Sequence, residues 1–135
     1  MGYLIDTCIW VDVERGRIAP ADVYGICGEE PVFISPVTIA ELTFGLEMSK
    51  NDAIKNKRIA ALEKLKKKPI LYIDELTGDI FGKVTAGIFK AGKGMKYRIQ
   101  DLWIACQALQ YNYFLLTGNI KDFKDIPGLK LVPYK

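Results

Sequence analysis

The side chains in this sequence that are best suited to chemistry are acidic and lie far apart along the chain. Asp6, Glu41, Asp101 and the pair Asn119 and Asp122 each follow a short apolar run or stand in the first turns of a helical pattern. Carboxylates that are gathered in one place repel one another unless protons neutralise them or a cation joins them. Mg²⁺ and Mn²⁺ bind such oxygen ligands, and the chemistry expected of them here is cleavage of a phosphodiester.

The composition excludes several other kinds of active site. The 135 residues include no histidine, which removes Ser-His-Asp and Cys-His triads and histidine-ligated zinc. Cys8, Cys27 and Cys106 form no CxxC pair, so we expect reduced thiols and neither a disulfide framework nor a zinc site. The net charge of +3 permits a polyanionic partner without requiring one. The first apolar run is too short for a signal peptide or a membrane span, so we expect a cytoplasmic protein.

Short apolar segments alternate with helical patterns along the chain. Strands are predicted at residues 3–5, 31–35, 70–73, 113–116 and 129–132, and helices at 7–14, 19–28, 36–48, 52–68, 75–91 and 101–111. This alternation predicts an α/β fold in which helices cover both faces of a mostly parallel sheet. The length predicts a single domain over residues 1–135.

Chain direction in a parallel sheet decides where the acidic residues meet. A helix that connects two parallel strands begins at the carboxyl edge of the sheet, where ligands bind in open α/β folds. Asp6 follows the first strand, Glu41 lies in the second turn after the second strand, and Asp101 begins the helix before the fourth strand. Asn119 and Asp122 follow that fourth strand. We therefore expect all of them along one edge.

Glu41 stands in an apolar stripe of its predicted helix. Val37, Glu41, Phe44 and Met48 follow one another at spacings of 4, 3 and 4 residues. A carboxylate buried in such a stripe needs a partner, and a metal cluster is one. The plainer alternative is a surface glutamate on a helix that is apolar on several sides.

Each of the other acidic positions also has a plainer interpretation. Asp6 could cap a helix, Asp101 could cap a helix or complement its dipole, and Asn119 and Asp122 could form an Asx-turn or a cap. The joint placement favours a metal site. In that site Asp6 and Asp101 are direct ligands, and Glu41 holds a metal-bound water or orients the nucleophile. Asn119 or Asp122 acts in the outer shell or at a second metal.

Four segments of the chain resemble the PIN-domain family. They are YLIDT at residues 3–7, SPVTIAEL at 35–42, IQDLWIA at 99–105 and LTGNIKDF at 116–123. More narrowly, the chain resembles the VapC-type toxin ribonucleases of prokaryotic toxin–antitoxin systems, in order and over nearly its whole length.

The resemblance implies a three-layer α/β/α sandwich and a Mg²⁺- or Mn²⁺-dependent endoribonuclease. It also implies a homodimer and inhibition by a cognate antitoxin that covers or enters the acidic pocket. By the same match Asp6, Glu41 and Asp101 take the three core acidic positions, which makes them the candidate metal ligands.

The last matching segment departs from the family pattern. Many members of the family have an acid where this chain has Asn119, so Asp122 is an alternative for the fourth position and the number of metal ions is open. Thr7 and Thr117 match recurrent hydroxyl positions, which implies binding of metal-bound water or phosphate.

Basic residues precede Asp101 in a glycine-containing segment. Lys93, Lys96 and Arg98 are candidates for contact with the RNA backbone, because they approach the predicted site. A solvated basic surface is the alternative.

Several rival functions are less compatible with the residues. A haloacid-dehalogenase-like phosphatase needs an acid two residues after its nucleophilic Asp6, where this chain has Cys8. A P-loop hydrolase needs GxxxxGK[ST], which is absent, and a receiver-like signalling domain needs an acid adjacent to Asp6. Two alternatives stay open: a PIN nuclease that matures RNA, and a non-catalytic module that uses the same edge to bind a protein.

Overall fold

Four short strands form one parallel sheet at the centre of the protein. The computed structural model describes residues 1–93 and 97–134. The strands are β1 (Tyr3–Ile5), β2 (Val32–Phe33), β3 (Phe114–Thr117) and β4 (Lys130–Pro133). Their order in the sheet is β2-β1-β3-β4, and each of the three pairings is parallel. The predicted parallel sheet is confirmed.

Six helices surround the sheet in the described part of the chain. They are α1 (Thr7–Glu14), α2 (Pro20–Cys27), α3 (Pro36–Glu47), α4 (Asp52–Leu65), α5 (Glu75–Lys90) and α6 (Ile99–Tyr111), and a short 3-10 turn spans Ile120–Asp122. Ser35 caps α3, as its sequence predicts, because its Oγ accepts a hydrogen bond of 3.0 Å from the backbone N–H of Val37. Among residues 1–93 and 97–134, no helix combines the length and the apolar character needed to cross a membrane.

Successive residues of the central strands point to opposite faces of the sheet, and both faces are covered. Leu4 and Leu115 are fully buried in the cluster that includes residues of α5 and α6. Ile5 and Leu116, the next residues along the same strands, are fully buried in the cluster that includes residues of α1 and α2. The two apolar clusters make the fold an α/β/α sandwich, as predicted.

The predicted strand at residues 70–73 is wrong beyond its first residue. Ile70 makes a single parallel bridge with Ile34, and Leu71 donates its N–H to the Ile34 carbonyl at 2.9 Å. The ladder ends there because the Leu71 carbonyl accepts a hydrogen bond from the side chain of the buried Gln107 on α6. Tyr72 is 68% exposed, and the chain then turns into the cap of α5.

The start of α6 also differs from the prediction. The helix begins at Ile99, and Arg98 is its N-cap residue. Asp101 therefore lies within the first turn of α6 and does not cap the helix, so its carboxylate is free to take part in a site.

Candidate active site

One small cleft lies at the carboxyl edge of the sheet, where β1 and β3 end and α1, α3 and α6 begin. Its volume is about 240 Å³. The residues that line this acidic cleft are Asp6, Thr7, Cys8, Val11, Asp12, Glu41, Arg98, Asp101 and Asn119. The fold thus brings four of the five predicted site residues to one place. The fifth, Asp122, is exposed and does not line the cleft.

Asp6 is the most firmly held of these residues. Its side chain is 3% exposed, and Oδ1 accepts a hydrogen bond of 2.8 Å from the backbone N–H of Thr7, which makes Asp6 the N-cap of α1. Oδ2 accepts from the Thr117 hydroxyl at 2.8 Å and from the Cys8 thiol at 3.4 Å. The carboxylate is therefore both a helix cap and a wall of the cleft, and its position is set by three donors.

The turn after β3 is tied to Asp6 through two side chains. The backbone N–H of Asn119 donates to Thr117 Oγ at 2.9 Å, and that of Gly118 donates to Cys8 Sγ at 3.4 Å. Burial, followed by the charge of Asp6, raises the pKa of the Cys8 thiol to about 11, so the thiol stays protonated and acts as a donor. The Asn119 side chain makes no capping hydrogen bond to the 3-10 turn that follows, so the cap interpretation does not account for it.

Glu41 reaches the cleft from the second turn of α3. Its Oε1 accepts a hydrogen bond of 2.9 Å from the Thr7 hydroxyl, and its Oε2 lies 3.4 Å from Nη2 of Arg98. The apolar stripe that led to Glu41 is not buried, because Phe44 is 69% and Met48 is 64% exposed. Glu41 thus has the partners that a half-buried carboxylate needs, but they are a hydroxyl and a guanidinium rather than the apolar core.

Asp101 is the acid whose charge is least compensated. It is 8% exposed, and among residues 1–93 and 97–134 no group donates a hydrogen bond to its carboxylate. Burial, and next the charge of Asp6, raise the pKa of Asp101 to about 6. Arg98 opposes this increase, while Asp122 and Glu41 add to it. The cleft therefore contains more negative charge than its own residues neutralise.

The carboxylate oxygens of the cleft are the type of ligand that a hard divalent cation prefers, but they do not lie close together. Within residues 1–93 and 97–134, no group of three or more His, Cys, Asp or Glu side chains is close enough to hold a metal ion as placed. Mg²⁺ typically takes one or two carboxylates directly and keeps several waters, so a closely packed protein cage is not required. Burial is the main cause of the raised pKa of Asp101, and the charge of Asp6 adds to it; a cation in this cleft would relieve the repulsion between the two acids.

Of the predicted RNA-binding residues, one reaches the site. Arg98 lines the acidic cleft, and Lys93 is exposed just after α5 without lining it. Lys96 lies outside the described residues.

Sequence reasoning missed Asp12 and Cys8, which line the cleft, and also Thr38, and it assigned two hydroxyls differently. Thr38, which is fully buried, lies 2.9 Å from the Thr7 hydroxyl and had no predicted role. Its position one helical turn before Glu41 is the signal that could have found it. The protons of the Thr7 and Thr117 hydroxyls, expected to meet water or phosphate, are donated to the carboxylates of Glu41 and Asp6.

A larger apolar groove adjoins the acidic cleft. It has a volume of about 490 Å³ and lies between α1, α3 and α4, and Thr7 and Glu41 line both depressions. Its apolar walls include Trp10, Leu42 and Leu62. Together, the parallel sheet, the carboxylate cleft at its carboxyl edge and the adjoining groove define an α/β domain with a candidate site where open α/β folds bind their ligands.

Comparisons with known proteins identify the family. Residues 3–129 match the PIN domain. Ribonuclease VapC of Rickettsia bellii is 31% identical over 140 residues, which cover 100% of this chain and 99% of that protein. Ribonuclease VapC1 of Haemophilus influenzae is 32% identical over 133 residues, which cover 96% of each chain. The chain belongs to the PIN-domain family and, within it, to the VapC ribonucleases.

Solved structures agree with this assignment. The structure of VapBC2 from Rickettsia felis, bound to a DNA fragment from its promoter, superposes with a TM-score of 0.87 at 25% identity over 100% of both chains. The structure of VapBC-1 from nontypeable Haemophilus influenzae superposes with a TM-score of 0.83 at 30% identity, covering 99% of this chain and 98% of that chain.

Proposed function

We propose that this protein is the ribonuclease toxin of a toxin–antitoxin pair and that it cleaves RNA phosphodiesters with a divalent cation, Mg²⁺ or Mn²⁺. Asp6, Glu41 and Asp101 are the residues that would hold the ion. The observation that supports this most strongly is that the fold brings Asp6, Glu41 and Asp101 into one cleft, where Asp101 is buried beside the other two acids. We further propose that residues 1–135 fold as one domain and act in the cytoplasm.

The residues of the cleft have different roles in the proposed reaction. A bound divalent cation would activate water and offset the charge of the scissile phosphate. Asp6, fixed by three donors, gives one ligand position that needs no rearrangement. Asp101 supplies the charge that attracts the ion, and Glu41 orients a water. Asn119, at the mouth of the cleft, or Asp122 beside it completes the outer shell.

Basic residues near the cleft are suited to the phosphate backbone. The Arg98 guanidinium is 63% exposed and lies at the cleft, so it can pair with a phosphate as it now pairs with Glu41. Lys93 and Lys96 precede it in the chain and would extend the contact along the RNA strand.

The apolar groove supports a protein partner. Three of the neighbouring solved structures are VapBC assemblies, two of them described as bound to DNA. Trp10, Leu42 and Leu62 give the groove apolar walls against which the apolar side chains of a peptide segment can pack. We therefore propose a cognate antitoxin whose segment fills this groove and reaches the acidic cleft.

A homodimer is part of the proposal. Phe44 and Met48 project from α3 into solvent with 69% and 64% exposure, which favours an apolar contact between copies of the chain. Sedimentation at micromolar concentration is expected to give a dimer, and a monomer would contradict this part of the proposal.

A metal-dependent nuclease and a non-catalytic binding module make different predictions in a cleavage assay. The purified protein is incubated with a pool of structured RNAs in Mg²⁺, in Mn²⁺ and in EDTA, together with Asp6→Ala. Asp79→Ala is the matched control, because Asp79 is an exposed acid on α5 away from the cleft.

We expect cleavage that requires the metal, is lost in Asp6→Ala and is retained in Asp79→Ala. Metal-independent cleavage would contradict the mechanism, and no cleavage under any condition would favour the non-catalytic module. A small antitoxin gene beside the coding sequence would favour the toxin over an RNA-maturation nuclease.

A further inference from the structure

We infer that Thr38 is a positioning residue for the reaction: acting through Thr7, it orients the carboxylate of Glu41 in the acidic cleft. The inference rests on the proposed function, because it concerns how one of the candidate metal-site carboxylates is held. Thr38 is fully buried and does not line the cleft, so any effect on the cleft must pass through a neighbour.

The direction of each hydrogen bond follows from the number of protons available. An ionised carboxylate only accepts, so the 2.9 Å contact between Thr7 Oγ and Glu41 Oε1 uses the single proton of the Thr7 hydroxyl. The 2.9 Å contact between Thr7 Oγ and Thr38 Oγ must then use the proton of Thr38. The result is a directed chain in which Thr38 donates to Thr7 and Thr7 donates to Glu41.

This chain joins two helices at the point where both contribute acids. Thr7 is the first residue of α1 and directly follows Asp6, while Thr38 and Glu41 lie three residues apart on one face of α3. Holding the Thr7 hydroxyl between Thr38 and Glu41 therefore fixes the Glu41 carboxylate relative to the N-terminus of α1, where Asp6 is placed.

The contact between Glu41 and Arg98 is too exposed to fix the Glu41 carboxylate in the same way. Arg98 lies 3.4 Å from Oε2, and its side chain is 63% exposed. Water and salt weaken an ion pair in such a position, and the long side chain loses entropy when it is held still. The buried hydroxyl chain is the rigid one of the two contacts.

The test compares variants that keep or remove the Thr38 proton. Thr38→Val preserves the shape of the side chain without the donor, Thr38→Ala removes the donor without adding bulk, and Thr38→Ser keeps the hydroxyl. Thr85→Val is the matched control, because the Thr85 hydroxyl bonds only to carbonyls of its own helix, at 2.7 and 3.2 Å. Mn²⁺ affinity of the metal-free protein is measured by calorimetry, and kcat and KM are measured on RNA.

We expect Thr38→Val and Thr38→Ala to weaken Mn²⁺ binding about 10-fold, at the lower end of the effect of outer-shell partners. In both, kcat falls while KM for RNA is unchanged, and Thr38→Ser and Thr85→Val behave like the parent protein. Parent-like Mn²⁺ affinity and kcat in a folded Thr38→Val or Thr38→Ala would overturn the inference. Absence of Mn²⁺ binding by the parent protein would instead overturn the proposed metal site.

A double-mutant cycle separates positioning from a general packing effect. If Thr38 acts through Glu41, adding Thr38→Ala to Glu41→Gln causes no further loss of Mn²⁺ affinity. Equal losses in the two backgrounds would show that Thr38 acts by another route and would also overturn the inference.

Discussion

The two sides of the acidic cleft are held in different ways. On the β1 side, Asp6 accepts three hydrogen bonds, from the backbone of Thr7 and from the side chains of Thr117 and Cys8. On the α6 side, Asp101 is also buried, yet among the described residues no hydrogen bond reaches its carboxylate, and burial together with Asp6 raises its pKa to about 6.

In the described part of the chain, Asp6 therefore has hydrogen-bond partners without a metal ion, whereas Asp101 does not. A carboxylate with three donors is held in place in the free protein, because those donors offset the loss of water. Burial without donors disfavours the charged form of Asp101 and raises its pKa, and a bound cation would offset this cost. We infer that Asp6 is the fixed end of the metal site and that Asp101 is the end whose charge is offset only when the ion binds.

The largest expected effect follows replacement of Asp6 and distinguishes its two roles. Asp6→Asn keeps an oxygen that can cap α1 but removes the charge and places an NH₂ group where Oδ2 accepts from Thr117 and Cys8, so the cap is retained while RNA cleavage falls at least about 100-fold. Asp6→Ala loses cleavage and also about 1 kcal/mol of stability from the missing cap. Cleavage rates and thermal melts of both variants check this, and an active Asp6→Asn would reduce Asp6 to a helix cap.

The next effect concerns the pH dependence of the metal-free protein. The pKa of Asp101 is raised in the folded state from an ordinary value of 3.8 to about 6. Its contribution to stability is therefore fully present below about pH 4 and is lost as the pH rises through about 6.

Asp101→Asn removes this loss of folding stability with rising pH. The variant is expected to lose RNA cleavage, yet at pH 7.5 without metal it is more stable than the parent by about 1 to 2 kcal/mol after screening by solvent is allowed for. Denaturant titrations of both proteins at pH 4, 6 and 7.5 in EDTA measure this. Identical pH profiles would show that the two sides of the cleft do not differ as described.

A smaller effect is expected from Arg98, which now pairs with Glu41. Arg98→Gln removes a cation that competes with the metal for Glu41, so Mn²⁺ binding in the absence of RNA tightens up to about 5-fold, the equivalent of a surface ion pair. The same change removes a phosphate contact, so KM for RNA rises. Changes of affinity in the same direction for metal and RNA would contradict this double role.

A last comparison of variants distinguishes Asn119 from Asp122. Asn119 lines the cleft, whereas Asp122 is exposed outside it and acts on Asp101 only through its charge. Asn119→Ala is expected to lower kcat about 10-fold or less, and Asp122→Ala less again. A larger loss in Asp122→Ala would place that carboxylate in the fourth position instead.

The order of strands and helices along the chain was enough to predict that the site residues share one edge of the sheet. The pattern of apolar side chains was not enough to predict which of them are buried. Asp6, Glu41, Asp101 and Asn119 share one edge because parallel strands joined by helices leave no other place for the residues at their ends. The burial argument for Glu41 failed, since Phe44 and Met48 on the same stripe are exposed. Helical periodicity shows which residues share a face, but not whether that face meets the core or a partner.

Two further features depended on contacts between distant parts of the chain. The apolar run at 70–73 has strand propensity, but the Gln107 side chain takes the carbonyl of Leu71 and ends the ladder. The contact between Thr38 and Thr7 exists only because α1 and α3 pack side by side. Local sequence patterns contain no information on such pairings, which arise from packing between elements.

Titration of the metal-free protein with Mn²⁺ at pH 7.5, beside Asp6→Asn and Asp101→Asn, tests the central claim most directly. The account predicts saturable binding by the parent protein and loss of that binding in both variants, with the folded state of each confirmed by circular dichroism. Absence of binding by the parent protein, or parent-like affinity in Asp101→Asn, would contradict a metal site formed by Asp6 and Asp101.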